Sequence, residues 1–97
     1  MQSLKDKVVL LTGASQGIGA ATAMCIGNLG AGLVAHHRGQ AGDLEGAQAA
    51  LAQIPSEHKY FVGGDFEDNA AVERIWEEAV GWRGQVDVLV LNAAMMD

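Results

Sequence analysis

The chain has 97 residues, enough for one domain near the small end of what builds a stable core alone. Its hydrophobic fraction of 49% argues against a disordered chain, and only 5% of residues are aromatic, a palette suited to close helix-on-sheet packing. The net charge of −6 sets it against a nucleic-acid backbone, although backbone amides can still seat the phosphates of a small nucleotide.

The first residues, Met1-Gln2-Ser3-Leu4-Lys5-Asp6-Lys7, contain no apolar stretch of the kind that heads a secretory leader. Val8-Val9-Leu10-Leu11 follows, apolar at every position, which predicts a strand covered on both faces, as in a parallel sheet. Ile18, Ala21, Thr22, Cys25, Ile26 and Leu29 then recur at helical spacing, with Gly30 placed as a carboxyl cap. Cys25 falls on that stripe and is expected to be a small core residue; as the single cysteine it has no internal disulfide partner.

Leu33-Val34-Ala35 predicts a second strand, and Leu44, Ala47, Leu51 and Ile54 a second helix that Pro55 ends. Tyr60-Phe61-Val62 predicts a third strand. Val72, Ile75, Trp76, Ala79 and Val80 mark the buried face of a third helix, capped at its start by Asp68 or Asn69, with Trp82 and Arg83 closing it at the surface or an interface. Val86-Asp87-Val88-Leu89-Val90-Leu91 predicts a fourth strand. The alternation β-α-β-α-β-α-β implies right-handed crossovers and an α/β fold, a Rossmann-type doubly wound parallel sheet with strand order 3-2-1-4. No apolar run reaches the roughly 18 to 20 residues that cross a bilayer, so no membrane partner and a cytoplasmic location are expected.

The chemistry-bearing stretch is Thr12-Gly13-Ala14-Ser15-Gln16-Gly17-Ile18-Gly19, directly between the first strand and the first helix. The first amides of a helix lack intrahelical partners and carry partial positive charge, so a pyrophosphate can dock there if no side chain intervenes. Gly13 would turn sharply out of the strand, Gly17 would admit the diphosphate, and Gly19 would let the helix approach the sheet. Ser15 and Gln16 could add side-chain contacts. A P-loop would need Lys-Ser or Lys-Thr after the last glycine, and Ala20 stands there instead.

This Thr-Gly-x-x-x-Gly-Ile-Gly run resembles the signature of the short-chain dehydrogenase/reductase family, and two further landmarks follow in order. Asp65, with Phe66 beside it, resembles the family's aspartate at the adenine ring. Asn92-Ala93 resembles the latter part of its Asn-Asn-Ala-Gly motif, although Leu91 replaces the first asparagine and Ala94 the glycine, adding a methyl group near the cofactor. The resemblance implies that residues 1–97 are the amino-terminal portion of an NAD(P)-binding Rossmann domain. It implies an oxidoreductase moving a hydride between nicotinamide and an alcohol or carbonyl substrate, a homo-oligomer when complete.

The family's serine and Tyr-x-x-x-Lys cannot be assigned. Tyr60 is the single tyrosine, Gly64 stands four residues on, and Tyr60 is read as packing. The chain alone is therefore expected to be inactive, and a non-catalytic dinucleotide-binding module or one half of a split protein is the alternative. An apolar fourth strand at a sheet edge favours the enzyme reading, because such edges are normally covered. NAD-preferring members carry an acid at the end of the second strand. His37 and Arg38 occupy that place here, so NADP is expected over NAD, with Arg38 pairing a 2′-phosphate and His36 or His37 assisting if protonated. His36, His37 and His58 lack the spacing of a metal site.

Overall fold

The computed structural model describes residues 4–13 and 17–91. All four side chains of β1 (Val8–Leu11) are buried, which requires cover on both faces. The chain continues through α1 (Gly17–Asn28), β2 (Gly32–His37), α2 (Asp43–Ala50), a short 3-10 turn at Ser56–His58, β3 (Lys59–Gly63), α3 (Asn69–Arg83) and β4 (Val88–Val90). The strands form one parallel sheet in the order β3-β2-β1-β4, as the alternation of elements predicts.

Side chains alternate across each strand, and they separate two cores. Val9, Leu11, Leu33 and Ala35 point to one face, where Ala23 and Ile26 of α1 join Leu51 and Ile54. Val8, Leu10, Val34 and Val62 point to the other, where Ile75 and Ala79 of α3 cover them. The helix boundaries follow local chemistry. Gly30 leaves α1 at φ 92°, the Asp68 carboxylate accepts the Ala70 N–H at 3.0 Å, and Gly84 ends α3 at φ 80°.

Four expectations need correction. Cys25 and Ala21 are exposed, and the buried line of α1 runs through Gly19, Ala23 and Ile26 instead. Small residues set that face: Ile54 packs over Gly27 so closely that a Cβ there would stand 2.7 Å from its Cδ1. Trp76 is 47% exposed, Val72 is exposed too, and the sheet meets Ala71, Ile75, Ala79 and Trp82. Trp76 lies about 100° round the helix from Ile75, beyond the reach of a single underlying layer. Trp82, expected at the surface, is half-buried against Tyr60, ring centroids 6.0 Å apart. Leu44 at the start of α2 is likewise exposed.

Three strands differ in length from the expectation, β3 by one residue at each end. β2 runs on through both histidines because β3 pairs with it there, His36 with Val62 and His37 with Gly63, after the pairing with β1 has ended at Ala35. β4 is shorter, and with Leu89 49% and Leu91 75% exposed it stands at one edge of the described sheet, with β3 at the other. Among the described residues, no helix is long and apolar enough to cross a membrane.

Candidate functional site

In a parallel sheet all strands deliver their carboxyl ends to the same edge, where ligands of doubly wound folds bind. Here β1 delivers Thr12 and Gly13, β2 delivers His36 to Gly39, and β3 delivers Gly63 to Phe66. The candidate residues Gly13, His37, Arg38, Asp65 and Phe66 therefore share this edge with the start of α1 at Gly17. Ser15, Gln16, Asn92, Ala93 and Ala94 lie outside the described residues. Gly17 and Ile18 are described as the first backbone positions of α1, and Gly19 is buried one residue further on.

The exit from β1 is held firmly. Thr12 is buried, and its N–H donates to the Val90 carbonyl at 3.0 Å, continuing the ladder one residue beyond the strand. Gly13 then turns at φ 68°, in the left-handed region where a Cβ is unfavourable. α1 has no acidic residue in its first turn, whereas α2 carries Asp43 and Glu45 in its own. The dipole of α1 at this edge thus meets no carboxylate of its own helix, a setting that favours an incoming anion.

His36 ties the three strand ends together. Its side chain is 1% exposed, its Nδ1 accepts the Gly13 N–H at 3.4 Å, and its Nε2 donates to the Gly64 carbonyl at 2.8 Å. The Phe66 ring covers it at 4.3 Å between centroids. Burial pushes the pKa of this imidazole below its usual value, partly opposed by the Gly64 hydrogen bond. His37 points to the opposite face and is also buried; its Nδ1 accepts the Gly39 N–H at 3.1 Å. With both nitrogens of His36 and one of His37 engaged by backbone, exposed Arg38 is the cation that this strand end offers to solvent.

The β3 end is more open. Asp65 is exposed, and its Oδ1 accepts the Glu67 N–H at 2.9 Å, which fixes the carboxylate in a local turn. Arg74 of α3 donates to the Gly63 carbonyl at 2.6 Å and pairs with Glu78 at 3.1 Å. Gly39 (φ 87°) closes against β3, since a Cβ there would come 3.2 Å from the Gly64 nitrogen.

The sequence pattern singled out the turn, Arg38 and Asp65 as candidates but missed the contacts of His36, which it weighed only as a metal ligand or phosphate contact. One available signal was parity: His36 falls on the same face as Val34, so continuing β2 by two residues would have buried it.

A family model described as short chain dehydrogenase matches residues 7–97. Among curated proteins, a short chain dehydrogenase from Passalora fulva is 34% identical over 95 residues, covering 96% of this chain and 34% of its own length. An L-rhamnose 1-dehydrogenase (NAD(P)(+)) from Azotobacter vinelandii is 38% identical over 94 residues, covering 95% and 37%. The chain thus spans about a third of the length of the relatives it matches. Among solved structures, a dehydrogenase/reductase from Sinorhizobium meliloti superposes with a TM-score of 0.84 at 33% identity, covering 95% of this chain and 36% of that one. A 3-ketoacyl-(acyl-carrier-protein) reductase from Brucella melitensis, complexed with NADH, superposes at 0.77 and 32% identity, covering 90% and 34%. With the strand order, the glycine turn and the family model in agreement over nearly its whole length, this chain belongs to the short-chain dehydrogenase family.

Proposed function

We propose that this chain is the dinucleotide-binding part of an NAD(P)-dependent oxidoreductase of the short-chain dehydrogenase/reductase type. The observation that carries the reading is the turn between β1 and α1. Gly13 leaves the strand with positive φ, Gly17 opens a 12-residue helix, and no acid occupies that helix's first turn. This arrangement fits a pyrophosphate, because the dipole of α1 meets it with no carboxylate in the helix's first turn to oppose it.

In this reading Gly13, Gly17, Ile18 and Gly19 present backbone to the pyrophosphate, and Ser15 and Gln16 add contacts beside it. Asp65 and Phe66 flank the adenine, and Asn92, Ala93 and Ala94 line the ribose at the end of β4. Arg38 receives the 2′-phosphate of NADP, which favours NADP over NAD, and buried His37 fills the place where an NAD-preferring site has a carboxylate. When bound, the dinucleotide supplies or accepts a hydride, with an alcohol or carbonyl compound as the other reactant. The catalytic serine, tyrosine and lysine of the family have no counterparts among these 97 residues, so this part binds and orients the nucleotide.

Titration of the protein with NADPH and NADH, followed by the quenching of tryptophan fluorescence and by calorimetry, tests the reading. Saturable binding of both, tighter for NADPH, is expected; the absence of binding to either contradicts it.

A further inference from the structure

His36 is a polar ring fully buried at the edge where ligand-binding residues converge, and both its nitrogens face backbone groups of fixed polarity. The Gly13 N–H can only donate, so Nδ1 must be bare; the Gly64 carbonyl can only accept, so Nε2 must carry the proton. One neutral tautomer therefore satisfies both contacts, and neither the other tautomer nor the imidazolium does. The two contacts reach across 23 and 28 residues of sequence, joining the first glycine of the β1–α1 turn to the segment that begins Asp65-Phe66. The Phe66 ring, 4.3 Å away, closes the remaining side.

Resting on the dinucleotide reading above, we propose that His36 is a positioning residue, a neutral clamp that fixes Gly13 against the Gly64–Phe66 segment and so holds these two parts of the nucleotide-binding edge together. A proton placed on Nδ1 would put two donors face to face at Gly13 and open the clamp. The charged or titratable groups around the ring are His37 on its own strand, Asp43 at the start of α2, Asp65 beyond β3 and Arg74, which reaches Gly63 from α3. Burial makes the charged ring unfavourable and outweighs the attraction of Asp43 and Asp65. Because the folded-state pKa lies below the usual 6.5, the clamp's contribution is complete above that pH and is lost as the pH falls from there toward the lowered value.

The test uses the full chain, with NADPH affinity measured by calorimetry between pH 5.5 and 8, and Gly13 amide exchange measured without nucleotide. His36→Leu keeps the bulk and removes both contacts. His36→Asn keeps an acceptor near the Nδ1 position and no group that protonates in this range. We expect His36→Leu to weaken NADPH binding at pH 8 about tenfold, the upper scale of one lost hydrogen bond. His36→Asn should stay within about threefold of the parent at pH 8, from the same estimate, and lose less affinity than the parent at acid pH, the shared remainder being titration of the 2′-phosphate. Gly13 exchange should accelerate in His36→Leu, and in the parent on acidification beyond the intrinsic rate. Parent binding that is matched by His36→Leu, or Gly13 exchange indifferent to both changes, overturns the clamp while leaving the dinucleotide reading in place. No NADPH or NADH binding by the parent at pH 8 overturns the reading and the clamp with it. Should His36→Leu fail to fold, the parent and His36→Asn pH profiles decide: parallel profiles overturn the proposal.

Discussion

The imidazole of His37 fills the space that a side chain at position 63 would need: a Cβ on Gly63 would come within 2.9 Å of its Nε2 and 3.0 Å of its Nδ1. Gly63 is thus the seat that lets His37 fold down onto β3, where its Nδ1 accepts the Gly39 N–H and its carbonyl accepts the Gly64 N–H. This ring is one of the anchors of the loop carrying Arg38. Gly63→Ala should lift the ring, break the Gly39 contact and cost about 1–3 kcal/mol, the usual scale for overpacking a tight site. Urea unfolding monitored by circular dichroism measures the cost, and NADPH titration of the same variant should show weakened binding as Arg38 moves.

In the proposed reading, Arg38 carries the cofactor preference. Arg38→Ala should weaken NADPH binding about tenfold, the lower end of a charge-assisted contact to phosphate, and leave NADH nearly unchanged. The comparison must be made at one ionic strength, because an exposed cation is screened by salt. Equal losses for both nucleotides would remove the 2′-phosphate from the assignment.

At the other end of the sheet, Val8 and Asp87 exchange two hydrogen bonds. The Asp87 N–H donates to the Val8 carbonyl at 2.8 Å, and the Val8 N–H donates to the Asp87 carboxylate at 2.8 Å. Gln85 Nε2 adds a third contact to the same oxygen at 2.6 Å. The backbone hydrogen bond from Val8, then that of Gln85 and the nearby charge of Lys7, hold the Asp87 pKa below the usual carboxylate value against a smaller cost of burial. A carboxylate whose folded-state pKa is depressed stabilises the fold above its unfolded value and loses that contribution as the pH falls through the folded one. Asp87→Ala should therefore lower the thermal midpoint at pH 7. The gap from the parent should narrow once the pH drops below about 4. A gap that stays constant from pH 7 to pH 3 would show that the charge is irrelevant to the docking of β4.

Element order and sheet topology were legible because the two signals involved are strong and local. Runs such as Val8 to Leu11 are apolar at every position, and turn residues or helical spacings separate them, which leaves a parallel sheet as the physical solution. The seated face of α1 was less legible. Its sequence from Gly17 to Asn28 is small or apolar nearly all round, so periodicity alone could not choose between Cys25 and Ala23. The choice was made by Ile54, which arrives from a distant part of the chain to pack over Gly27. Trp76 misled for a related reason, since a large apolar residue on a helix is buried only if a layer reaches it.

Within the candidate site, the glycine turn was legible from its position between strand and helix. His36 was not, because its partners at Gly13 and Gly64 come together only when β1, β2 and β3 are aligned. Its neighbour Arg38 was legible as a cation in a loop, and the structure adds that both histidines turn inward and leave it alone at that strand's exposed tip.

The central claim is that the amides at the start of α1 receive a pyrophosphate because side chains have been omitted there. The most direct test is calorimetric titration of Gly17→Val with NADPH, beside the parent chain and with circular dichroism confirming an unchanged fold. The account predicts a loss of about a hundredfold or more, since a branched side chain would stand where the backbone must approach the phosphates. An affinity equal to that of the parent would contradict it.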